Sequence, residues 1–101
     1  MTDLNKLTGQ IEVWGHNKGI IPNSTPEAQF TKTLEEVAEL CTAIHAKDKA
    51  EMADAYGDIF VTLVMGASCA ELDIKQCVSD VYDIISKRKG EMKDGVFEKD
   101  E

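Results

Sequence analysis

Apolar side chains recur three and four positions apart over most of the chain, the spacing of one face of a helix. Leu4, Leu7, Ile11 and Trp14 form the first such stripe, and Gly15 and Gly19 weaken the helix beyond it. Ile20-Ile21-Pro22-Asn23 reads as a connecting loop. Ser24-Thr25-Pro26-Glu27 combines a capping hydroxyl, a proline suited to a first turn and an acid that meets the helix dipole. From there Phe30, Leu34, Val37, Cys41 and Ile44 make a second stripe, predicting a helix to about Lys47. Lys47-Asp48-Lys49 is the only polar break before a third helix over roughly 50–70, apolar on nearly all sides after Asp58. Asp73 then caps a fourth helix carrying Cys77, Val78, Val81, Ile84 and Ile85, which ends near Gly90. A short tail from about residue 91 holds an Asp94-Gly95 turn before Val96-Phe97, and no period-two strand run is present. Four helices with short connections predict an all-α fold, a four-helix antiparallel bundle forming one domain over 1–101.

Charge changes this picture in one place. The 101 residues carry 19 acids and 11 bases, a formal charge of -8, and 43% are hydrophobic, enough for one modest core. The segment Glu27–Asp83 holds 12 acids and 4 bases, so the whole excess lies in the most apolar part of the chain. Nucleic acid and anionic membrane surfaces are disfavoured as partners, because each calls for a basic face. No apolar run is long enough to span a membrane, and the N-terminus has no basic stretch followed by an apolar one. The cysteines, Cys41, Cys69 and Cys77, form no Cys-x-x-Cys pair and lie within apolar helical patterns. They read as buried reduced thiols, and the chain as cytoplasmic.

Two acidic clusters carry the candidate chemistry. Glu35, Glu36 and Glu39 lie in LEEVAEL on the second predicted helix; Glu51, Asp54 and Asp58 lie in EMADAYGDIF on the third. The first alone is an ordinary solvated face. The second continues through Val61, Thr62 and Met65, so the same face turns apolar within one turn and Asp58 points toward protein. Carboxylates gathered in a partly buried place need a compensating cation. Oxygen ligands without histidine or cysteine select a hard ion, Mg²⁺ or Mn²⁺, and neither His16 nor His45 follows a glutamate by three as a di-iron bundle requires. Such a site accepts metal-bridged phosphates, for which Lys87-Arg88-Lys89 and Lys93 are a second contact, unless those bases only complement a helix C-terminus.

The strings QFTKTLEEVAEL, DAYGDIFVTL and KRKGEMKDGVF, in that order, resemble the MazG-like branch of the all-α NTP pyrophosphatase superfamily. The resemblance implies Mg²⁺-dependent hydrolysis of an NTP or dNTP between the α- and β-phosphates, yielding a monophosphate and pyrophosphate, in nucleotide-pool house-cleaning or pool control. It implies Glu36, Glu39 and Asp58 as metal ligands. The usual fourth acid falls at Ala55, so Asp54 or Glu51 must substitute, and Asp83 stands where relatives often carry asparagine. Glu35 or Glu39 would take the proton of the attacking water, Glu35 being preferred because the motif does not need it as a ligand. Lys32, Arg88 and Lys89 are the candidates for the phosphates, and Trp14 for the base, although an anchor in the core suits Trp14 better. A homodimer or homotetramer is expected, both from the resemblance and because so small a bundle buries more apolar surface by associating. The competing reading is a non-catalytic helical module that binds a metal-nucleotide or a protein, motivated by Ala55 and Asp83.

Overall fold

In the computed structural model, which describes residues 2–101, five helices are followed by a β-hairpin. Helix α1 spans Leu4–Asn17, α2 Ile20–Asn23, α3 Pro26–His45, α4 Lys49–Cys69 and α5 Ile74–Ile85; strands β1 and β2 are Gly90–Lys93 and Val96–Lys99. Each of the four longer helices begins at a side-chain cap. Asp3 accepts from Lys6 N, Thr25 from Ala28 N, Asp48 from Glu51 N and Asp73 from Lys75 N, at 2.9 to 3.1 Å. These carboxylates and the hydroxyl satisfy amides that the first turn leaves without partners.

Packing centres on α4. It lies antiparallel to α3 along most of its length, with α1, α2 and α5 against its remaining sides. Val64 is fully buried and Met65 nearly so, beside buried Ala43, Ala55 and Thr62. Helix α1 approaches closely because Gly15 has no Cβ: the Met65 thioether occupies the space that a side chain there would need. Helix α5 packs chiefly on α4, and Val78, Val81, Tyr82, Ile84 and Ile85 remain exposed on it. The helical content agrees with the all-α expectation.

Four local expectations are corrected. Ile20–Asn23 is one helical turn rather than a loop. Gly19, at φ 79°, reverses the chain into it, and Ser24 N closes it on Ile20 O at 2.8 Å, with Pro22 early enough to lack no donor. Helix α5 stops at Ile85, five residues before Gly90, as Lys87 N and Arg88 N turn back to Ile84 O and Ile85 O. Lys87-Arg88-Lys89 therefore lies beyond the helix. The tail is a paired hairpin, with Met92 opposite Phe97 and Lys93 opposite Val96. Asp94 and Gly95 adopt φ 51° and 81°, the two left-handed positions that a tight hairpin turn requires. Its four-residue strands, exposed throughout, are too short to show an alternating pattern. Finally, the cysteines are not buried: Cys41 is exposed, while Cys69 and Cys77 are half-buried. Cys41 shares its exposure with the rest of its stripe, Phe30, Leu34, Val37 and Ile44, which no described element of this chain covers.

Candidate metal centre

The site is assembled by the α3–α4 hairpin. Lys47, in the left-handed region at φ 57°, ends α3, and Asp48 N returns to Ala43 O at 3.0 Å. This connection sends α4 back along α3. Register is set by a pair of hydroxyls: Thr33 donates to Thr62 Oγ1 at 2.8 Å, and Thr62 donates to Ile59 O at 2.8 Å. One turn onward from Thr33 stands Glu36, and one turn back from Thr62 stands Asp58. The hydroxyl seam thus brings the two acidic helices together.

One carboxylate oxygen from each of Glu36, Glu39 and Asp58 lies within 4.8 Å of the others. Glu36 is only 8% exposed, and its Oε2 is buried without a hydrogen-bond partner. Lys32 Nζ reaches Glu36 Oε1 at 3.6 Å but is held more closely by Glu35 Oε2 at 3.2 Å. Desolvation, then the hydrogen bond and charge of Glu39, hold the Glu36 carboxyl above its ordinary pKa. Asp58 is raised in the same direction by desolvation first, then by Asp54 and Glu36. The Lys32 ammonium is raised by its hydrogen bond to Glu35 and by the fields of Glu35 and Glu36. The apposed carboxylates therefore carry a charge that Lys32 compensates only in part, in a partly desolvated place, an arrangement able to hold a hard cation.

The expected residues distribute unevenly around this centre. Glu36, Glu39 and Asp58 converge, and Lys32 and Glu35 adjoin them. Asp54 stands outside the triplet, close enough to act on Asp58 by its charge. Glu51 lies in the first turn of α4 and lines, with Glu39, Thr42, Ala43, Ala46 and Asp48, a cavity of about 420 Å³. Arg88 and Lys89 sit in the link between α5 and β1, and no ion pair among the described residues joins them to the acids. Asp83 is exposed on α5.

Trp14 is 48% exposed, which corrects its expected place in the core. Thr8, Ile11 and Gly15 turn toward the protein instead, and Trp14, with Gln10, Ile11, Asp58 and Val61, lines an open cavity of about 360 Å³ beside the carboxylates. Gln10 and the Thr33–Thr62 pair were not singled out by the sequence. Their signal was positional: Thr33 precedes Glu36 by three, and Thr62 follows Asp58 by four, on the same helical faces.

Residues 24–94 match the family described as the MazG nucleotide pyrophosphohydrolase domain. The chain is also 39% identical over 74 residues to an uncharacterized 18.2 kDa protein of the rep-hol intergenic region of Haemophilus phage HP1. That match covers 72% of this chain and 45% of the phage protein, so the chain spans about half the length of this relative. No solved structure matches the chain.

Proposed function

Since the chain belongs to the MazG nucleotide pyrophosphohydrolase family, we propose that it hydrolyses an NTP or dNTP between the α- and β-phosphates, with Mg²⁺ or Mn²⁺. The observation that carries this reading is the buried, unpartnered Oε2 of Glu36, set among the carboxylates of Glu39 and Asp58. A buried oxygen without a donor costs stability unless something binds it. Glu36, Glu39 and Asp58 would hold the cation, with Asp54 adding its field to Asp58. A bound divalent cation supplies positive charge to the phosphate oxygens at this centre.

The chain's own groups account for the remaining tasks. Lys32, at the edge of the cluster, exchanges part of its contact with Glu35 and Glu36 for a phosphate oxygen. Of the two candidate bases, Glu39 is already engaged in holding the cation, whereas Glu35 lies outside the triplet and is released as Lys32 turns to a phosphate. Glu35 therefore suits removal of the water's proton better. Trp14 offers a ring face to a base in the cavity beside Asp58. Arg88 and Lys89 meet the distal phosphates only if the α5–β1 link or a neighbouring copy brings them to the site. A homo-oligomer, dimer or tetramer, is the arrangement that covers the apolar faces left open on α3 and α5.

Incubation with a panel of NTPs and dNTPs plus Mg²⁺ tests the reaction: pyrophosphate is the expected first inorganic product. Orthophosphate first, or no turnover of any canonical or modified nucleotide, overturns it. The second reading, a binding module without turnover, is favoured by one observation, the buried methyl of Ala55 where a carboxylate is expected. Asp58→Asn separates the two. The enzyme loses turnover and keeps its fold, whereas metal-independent binding of a partner survives the change.

A further inference from the structure

We infer that the β1–β2 hairpin is an arm that docks on a second copy of this chain. It lays Met92 and Phe97 on the open α3 stripe of that copy and brings Arg88 and Lys89 to its acidic centre. The inference rests on the pyrophosphohydrolase reading above and names the element that completes the site. The hairpin has two unlike faces. Cross-strand pairing puts Gly90, Met92, Phe97 and Lys99 on one face, and Glu91, Lys93, Val96 and Glu98 on the other. On the first, the Phe97 ring lies against Gly90; on the second, Lys93 Nζ meets Glu98 Oε2 at 3.6 Å. The charged face suits water, but Met92 is 66% and Phe97 49% exposed on the apolar one. The two strands pack chiefly on each other. A lone two-stranded hairpin is marginal in water until a helix or a further strand covers its apolar face. The radius of gyration is 15.8 Å, against about 13 Å for a compact chain of about 100 residues, an excess expected of a projecting arm.

Shape and charge both select a second copy as the occupant. Edge-to-edge pairing with another hairpin is disfavoured by four-residue strands bearing Glu91, Lys93, Glu98 and Lys99, so it is the apolar face that needs cover. The chain carries a matching apolar surface on α3, but its own arm does not cover it: Phe30, Leu34, Val37 and Ile44 stay exposed. Lys87, Arg88 and Lys89 stand together in the link that joins the arm to α5, and no ion pair among the described residues neutralises them. The acids of the α3–α4 hairpin have Lys32 as their one paired base among the described residues. Opposite charges that stay apart within one chain are complementary between two. Of the two open apolar faces, that of α3 lies on the helix carrying Glu35, Glu36 and Glu39, whereas that of α5 is the root of the arm itself. Docking on α3 therefore leads the basic link toward the acidic centre of the second copy, and a two-fold exchange makes the contact twice. The Arg88 guanidinium fork and the Lys89 ammonium then face the phosphates of a bound nucleotide.

Subunit mixing tests the exchange. The double variant Arg88→Ala/Lys89→Ala keeps the acids and loses the charge of the arm, whereas Asp58→Asn keeps the arm and loses an acid. Each alone is expected to release pyrophosphate at least about tenfold more slowly than the wild type. Mixed in equal amounts and allowed to exchange subunits, the two are expected to recover roughly a quarter of wild-type activity, since half the pairs are mixed and each of those holds one intact site. No recovery on mixing, with the wild type active, overturns the exchange, and so does an Arg88→Ala/Lys89→Ala variant as active as the wild type. A wild type that turns over no nucleotide overturns the pyrophosphohydrolase reading instead, and docking of the arm is then decided by mass. Met92→Asp/Phe97→Asp is expected to keep its helical circular dichroism and to sediment at a lower mass than the wild type. A mass that these changes leave unaltered, or a wild type that sediments as a single chain, overturns the docking.

Discussion

Helix α3 has two long faces, and they differ in a way that runs against ordinary expectation. The face turned to α4 is built from Gln29, Thr33, Glu36, Leu40 and Ala43: an amide, a hydroxyl, a carboxylate, one half-buried leucine and a methyl. The other carries Phe30, Leu34, Val37, Cys41 and Ile44 and is open, with Phe30 63% exposed and Leu34 51%. Thr33 and Ala43 on α3, with buried Ala55 and Thr62 on α4, are small enough for the two helices to approach closely. That approach permits the short hydroxyl contact and lets the carboxylates meet. Large apolar side chains at those four positions would hold the helices apart. The interior face thus serves the site at some cost in packing, and the apolar face supplies hydrophobic burial only when something covers it. Stability and chemistry are largely separated onto opposite sides of one helix.

The largest expected effect comes from testing whether the open face is covered in solution. Leu34→Glu places a charge in an interface if subunits meet there. The protein should then sediment as a single chain and lose several kcal/mol of stability. If the face is solvent-exposed, the change stays within about 0.5 kcal/mol with no change in mass. Analytical ultracentrifugation with thermal melts distinguishes the two.

The interior face is tested next by metal. Free Mg²⁺ or Mn²⁺ at about a hundred times its dissociation constant should stabilise the wild type by about 2.7 kcal/mol. Differential scanning calorimetry should show no such gain in Glu36→Gln. Metal-free, that same variant should melt above the wild type, since it removes a charge that the fold leaves unbalanced.

Acidity gives a smaller effect of opposite sign to most acid-sensitive proteins. Glu36 and Asp58 have pKa values raised on folding, so the folded state binds protons more tightly than the unfolded chain. The penalty is fully present above their folded values and relieved as pH falls through them toward the ordinary carboxylate range. Metal-free protein should therefore melt higher on mild acidification from neutral pH, and metal binding should weaken over the same interval. A melting temperature that falls steadily from pH 7 contradicts this assignment.

The smallest effect tests the register of the two helices. Thr33→Val removes the donor to Thr62, whose own bond to Ile59 O survives, and should cost about 1 kcal/mol by urea denaturation. A much greater loss would show that the hydroxyl pair organises more of the hairpin than its own contact.

The same contrast between faces explains what the sequence could and could not convey. The helix starts at Thr25 and Asp73 were legible because caps are local, each bonding an amide two or three residues on; Asp48, read only as part of a polar break, caps α4 in the same way. A partly buried acid at Asp58 was legible because the acidic face of α4 turns apolar after it, and a solvated stripe would not; the set Glu36, Glu39 and Asp58 came from the family resemblance. The orientation of α3 was not. Its apolar stripe reads as a core, yet only contacts distant in sequence decide which side of a helix meets its neighbour. Trp14 was misjudged for the same reason, since Gly15 rather than the indole makes the close approach to α4. The hairpin at Gly90–Lys99 escaped because four-residue strands with both faces in solvent carry no periodicity.

The three-residue reversal at Ala46–Asp48 has a kinetic consequence. Glu36 and Asp58 are separated by a short stretch of chain that folds back on itself, so the centre forms from contacts of low sequence separation. Closing so small a loop is entropically cheap. The α3–α4 unit should form early and in a first-order step, with covering of the Phe30–Ile44 stripe following at a rate that depends on protein concentration. Stopped-flow refolding in Mn²⁺ at two protein concentrations, followed by quenching of the Trp14 indole beside Asp58, should show that metal phase unchanged and the later phase accelerated. A metal phase that also scales with concentration would mean that the centre is completed only after chains meet.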